Sequence, residues 1–78
     1  MIQKTEQLVV TFNTTTDAIR CEKYCAEQKI EGRIIPVPRV LSASCGMAFK
    51  APLSEDEAIS EAISRGDIIP AGKYRLFL

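Results

Sequence analysis

Hydrophobic and polar positions alternate in short blocks along this chain, and the period changes where polar residues, glycine and proline cluster. Leu8-Val9-Val10-Thr11-Phe12 is dense in β-branched and aromatic residues and predicts a first strand. Asn13 to Thr16 breaks it, and Thr14 with Asp17 forms a capping-box pattern in which Asp replaces the usual Glu. A helix follows from about Thr15 to Lys29. Ala18, Cys21 and Cys25 recur along it at three- and four-residue steps, a core-facing stripe, and Gly32 marks the turn beyond. Glu22 interrupts that face and is expected to reach water.

Arg33 to Val37 predicts a second strand. Residues i and i+2 direct their N–H groups to the same side, and neither Pro36 nor Pro38 has one. The strand can pair on one side only there, so it belongs at a sheet edge. Gly46 to Ala51 predicts a third strand, ended by Pro52-Leu53. Ser54 with Glu57 reads as a capping box for a second helix, with Leu53 and Ala58 at the staple positions. Ala58, Ile59, Ala62 and Ile63 form its buried stripe, and Gly66 its stop. After Pro70-Ala71-Gly72, Tyr74 to Leu78 predicts a fourth strand.

The order βαββαβ in one short chain predicts an α+β ferredoxin-like two-layer sandwich. Strands one and three lie centrally, and both helices cover one sheet face. Leu8, Val10, Phe12, Met47 and Phe49 alternate toward the helices. Val9, Thr11, Ile34, Ala48 and Phe77 are then assigned to the opposite face, an apolar set that predicts docking or a homodimer through the open sheet.

Composition narrows the function. The 78 residues make a single domain, 1–78, whose 46% apolar content suits a globular core. The net charge is zero and no basic stripe exists, so nucleic acid has no electrostatic foothold. The chain has no histidine, the commonest general base and metal ligand. It has no stretch long and apolar enough for a membrane span and no secretory leader pattern. Three cysteines are an odd count, unlike disulfide scaffolds, and indicate reduced thiols in the cytoplasm. Cys21 and Cys25 stand about 5–6 Å apart between Cβ atoms on a helix, too far for a disulfide. They read as core residues, and no metal or cofactor site is expected.

Cys45 is different. It lies in the polar, small-residue stretch Ser42-Ala43-Ser44-Cys45-Gly46, between two strands. That context suits a reacting thiol rather than a packed one. Gly46 leaves access to it, and Arg39 offers positive charge to a thiolate or an anionic persulfide. The alternatives are a cysteine tucked under the loop, with Gly46 serving a bulge, and a merely solvated Arg39.

Several blocks resemble the Se/S carrier protein-like family of short bacterial proteins. They are Phe12-Asn13-Thr14 with Ala18, Glu22-Lys23, Ile35-Pro36-Val37-Pro38-Arg39 with Ser42-Ala43-Ser44-Cys45-Gly46-Met47-Ala48, and Gly72-Lys73-Tyr74-Arg75-Leu76. The resemblance implies a non-enzymatic carrier that holds sulfur or selenium as a persulfide or selenosulfide on Cys45. Its partners would be a desulfurase-like donor protein and an acceptor protein. Two other readings stay open: an interaction or dimerisation module of ferredoxin-like fold, and a thiol redox sensor. Familiar sulfur carriers place their cysteine at a helix N-terminus, whereas here the cysteine precedes a strand.

Overall fold

The computed structural model describes residues 5–41 and 46–77. In chain order it forms β1 (Glu6–Thr11), α1 (Thr15–Glu27), β2 (Arg33–Pro36), β3 (Met47–Pro52), a single 3-10 turn (Leu53–Glu55), α2 (Asp56–Arg65) and β4 (Gly72–Phe77). The four strands make one antiparallel sheet in the order β2-β3-β1-β4. This is the expected α+β ferredoxin-like arrangement, with β1 and β3 central. β2 pairs with β3 alone, as its prolines require: the Val37 N–H turns inward to the Gly46 carbonyl at 3.1 Å.

Cross-strand partners share a sheet face. Leu8, Val10, Phe49 and Ala51 lie under the helices with Phe12, Ala18, Cys21, Cys25, Ile59, Ala62 and Ile68, all buried. Fully burying one large apolar side chain contributes roughly 1.5–3 kcal/mol. A domain this small holds few of them, so each matters.

Two face assignments are corrected by the register. Ile34 pairs directly with Phe49, and its side chain packs against the helix-covered core. Phe77 pairs with Glu6. Successive residues alternate faces, which puts Phe77 with Arg75 and Lys73 on the helix side. It lies at the open edge of β4, 65% exposed. The open face instead carries Ile35, Tyr74 and Leu76 beside Val9, Thr11 and Ala48. The last three have essentially no accessible surface. Val9 sits in register between Lys50 and Tyr74. Lys50 is half-buried there, as expected when an aliphatic stem lies along apolar surface. The Tyr74 ring folds over Gly72, where an added Cβ would come within 2.6 Å of its hydroxyl.

The helix ends also differ from expectation. Thr14 does cap α1, its hydroxyl accepting the Asp17 N–H at 3.1 Å. Ser54 does not cap α2. The chain tightens into the 3-10 turn after Pro52, and α2 starts at Asp56 without a side-chain cap. Glu55 turns aside to accept the backbone N–H of Glu31. At the far end of α1 the stop is Lys29, the residue near which the helix is expected to end. Lys29 adopts φ 58°, the Ile30 N–H donates to the Cys25 carbonyl, and the Lys29 N–H to that of Ala26. This is a Schellman closure with a lysine in the left-handed position. Gly32 serves another purpose: a Cβ there would lie 2.5 Å from the Phe49 ring and 2.7 Å from the Lys50 carbonyl.

Candidate functional site

The site begins where β2 and β3 part. Below the Val37–Gly46 hydrogen bond the chain turns at Pro38, and the Leu41 N–H closes that turn onto the Pro38 carbonyl at 3.0 Å. Arg39 and Val40 occupy the two middle positions of the turn. Both are exposed, Val40 by 77%. Ser42, Ala43, Ser44 and Cys45 lie outside the described residues. Gly46, which follows them, is exposed at φ +72°, and nothing stands within 4 Å of an added Cβ. Its conformation is one that a side chain rarely adopts, and the space beside it is open. Arg39 and Gly46 therefore belong to the two arms of one connection.

The sheet register brings distant segments to this same end. Thr11 is opposite Ala48 on one side and Gly72 on the other. Two residues beyond Thr11 and Ala48 the chains reach Asn13 and Gly46. The β1–α1 junction, the β2–β3 connection and the α2–β4 connection thus leave the sheet together. The Ala71 N–H, donating to the Thr11 carbonyl at 2.7 Å, ties the last of these down. The N-terminus of α1, with its Thr14 cap, consequently opens at the end of the sheet that bears Gly46, although Cys45 is remote from any helix start in sequence. The Phe12-Asn13-Thr14 block was the available signal, but only β1–β3 pairing shows its neighbourhood.

The other two thiols are sealed away. Cys21 and Cys25 are unbridged and buried, at 0% and 1% exposure. The Cys21 thiol is held far above the ordinary thiol range by its hydrogen bond with Cys25, by burial and by the Glu22 carboxylate nearby. Cys25 is the more acidic of the pair because Cys21 donates to it. Glu22 itself is exposed, as expected.

Exposed apolar residues lie at separate places around this end of the sheet: Val40 beyond β2 at one edge, Ile69 before β4 at the other, and Ile19 on the second turn of α1. An open groove of about 570 Å³ runs beside Ile19, lined also by Arg20, Lys23 and Tyr24. The Tyr24 hydroxyl accepts a hydrogen bond from Arg65 at 2.9 Å. Among the described residues, no helix is long and apolar enough to cross a membrane. No group of three His, Cys, Asp or Glu among them could hold a metal ion.

No curated protein and no solved structure matches the chain. A family described as Putative Se/S carrier protein-like matches over residues 7–75, almost the whole chain, and the protein belongs to that family.

Proposed function

We propose that the protein carries sulfur or selenium on Cys45 between a donor protein and an acceptor protein, without catalysing a reaction of its own. The observation that carries this reading is family membership over residues 7–75 in a chain whose other two thiols are buried. Surface thiol chemistry then falls to Cys45. In the transfer step the Cys45 thiolate attacks the outer sulfur of a donor persulfide. The donor S–S bond breaks, the donor cysteine leaves as thiolate, and Cys45 holds the new S–S bond. An acceptor nucleophile then attacks the outer atom and Cys45 returns to thiolate, so sulfur moves with no net change in electrons.

Thiolate formation is favoured by positive charge and hydrogen-bond donors. The exposed Arg39 and the N-terminus of α1, at the same end of the sheet, support that role. Gly46 supports access, because the space at its α-carbon is open. Val40, Ile69 and Ile19 support docking of a partner protein near that end. A homodimer through the open sheet face would rest on Ile35, Tyr74 and Leu76.

Intact-mass spectrometry after incubation with a persulfide-loaded cysteine desulfurase tests the proposal. The expected result is a gain of one sulfur that maps to Cys45 and is absent from Cys45→Ser. A gain that survives in Cys45→Ser, or no gain in the native protein, overturns it.

A further inference from the structure

A second feature lies on the open sheet face, toward the end opposite the β2–β3 connection. Arg33 of β2 and Lys50 of β3 are directly opposed in the register. Like charges in such a pair repel and cost stability. Among the described residues no carboxylate lies within ion-pair distance of either, the three ion pairs being Arg65–Asp67, Lys73–Asp56 and Arg75–Asp56. The two cations line one groove of about 270 Å³ together with Gln7, Glu31, Gly32 and Pro52. Lys50 is half-buried with its stem available to cover Val9, which limits how far its ammonium can swing away.

Several parts of the groove suit an anion. Gln7 pairs with Pro52 in the register, one row beyond the cations; its amide nitrogen donates one N–H to the Thr5 hydroxyl at 2.6 Å, which leaves one further N–H at the rim. An arginine fork and a lysine point charge together match an oxyanion that carries several acceptor oxygens. At Gly32 the chain packs directly on the Phe49 ring and the Lys50 carbonyl, which holds the start of β2 close against β3. Glu31 on the rim opposes anion binding, so the attraction has to come from the two cations together.

From this juxtaposition we infer that the groove between Arg33 and Lys50 binds a compact oxyanion, phosphate or the phosphoryl group of a small molecule. This site lies at the end of the β2–β3 pair away from Gly46, and it stands without the carrier reading. A ligand there neutralises the cation pair, so binding and stability are linked.

The test is thermal unfolding of the native protein and of Arg33→Gln, Lys50→Gln and the double variant. Each is measured with inorganic phosphate, with glycerol phosphate and with chloride at matched ionic strength. Phosphate stabilises proteins in general, so the informative quantity is the difference between proteins. Without anion the single variants should unfold at the same temperature as the native protein or slightly higher, since a repulsion is removed. With saturating phosphate the native protein should gain roughly 5 °C more than the double variant. An equal gain with glycerol phosphate assigns the site to phosphorylated small molecules, and a gain with phosphate alone assigns it to the free ion. Equal gains in native and double-variant protein, or single variants less stable than native in chloride, overturn the inference.

Discussion

Two of the three cysteines are buried side by side in the core. Cys21 and Cys25 face the sheet from one stripe of α1, where water does not reach and the Cys21 proton is held by its neighbour. Replacing Cys25 with Asp puts an unpaired charge into that layer and should destabilise the fold by on the order of 3 kcal/mol or more. Urea denaturation followed by circular dichroism measures this. A loss under about 1 kcal/mol would mean that the helix shifts to expose the site. For Cys45, Arg39 is proposed to favour the thiolate, so Arg39→Ala should move the pH profile of iodoacetamide labelling to higher pH and slow labelling at pH 7. Identical profiles in both proteins would remove Arg39 from the chemistry. The α1 N-terminus would then be left as the electrostatic support within the described structure.

At the scale of elements, the ends of helices decide more than their middles. Lys29 closes α1 from a left-handed backbone position that costs a side-chain-bearing residue roughly 1–2 kcal/mol. Lys29→Gly should therefore stabilise the protein by about 0.5–1 kcal/mol, part of the gain being offset by the freer unfolded chain. A change of the opposite sign in chemical denaturation would mean that the lysine stem contributes packing that outweighs the strain. At the start of α2, Asp56 accepts from Lys73 at 2.7 Å and from Arg75 at 3.1 Å, which braces the helix on β4. The Lys73 hydrogen bond first, and Arg75 after it, hold this carboxyl below its ordinary value. A depressed folded-state value means that the stabilisation is complete above the unfolded value near pH 4 and fades as pH falls through the lower folded value. The cluster is partly solvated, so its contribution is about 1 kcal/mol at most and shrinks in high salt. Asp56→Asn should lower stability by that amount at pH 7 and by progressively less as pH falls below about 4, which denaturation curves across that range would show.

At the scale of the whole molecule, the fold gathers three connections at one end, with exposed apolar residues beside them. If a donor protein docks there, Val40→Glu should slow sulfur loading of Cys45 several-fold at limiting donor. It should leave thermal stability within about 0.5 kcal/mol, since Val40 is 77% exposed and belongs to no core. Stopped-time mass spectrometry reads the rate. Unchanged loading with the charged variant would move the docking surface elsewhere, with Ile19 and the groove beside it next to be tested.

What the sequence determined by itself is whatever follows from local covalent and hydrogen-bonding chemistry. Pro36 and Pro38 lack N–H groups, so the edge position of β2 was legible before any pairing was known. Thr14 could cap α1 from within its own turn, and the three- and four-residue steps of Ala18, Cys21 and Cys25 placed both thiols in the core. From these and the element order, the sandwich could be read. Tertiary structure decided what depends on partners far along the chain. Alternation within a strand does not set its phase against a neighbour, so only the β2–β3 and β1–β4 registers could move Ile34 and Phe77 to the helix side. Glu55 meets the Glu31 amide only in the folded chain, and the expected Ser54 cap gave way to a 3-10 turn there. The same dependence on pairing governs both surface features. Asn13 comes to the same end as Gly46, and Arg33 comes opposite Lys50, because antiparallel strands bring together residues that the sequence separates widely.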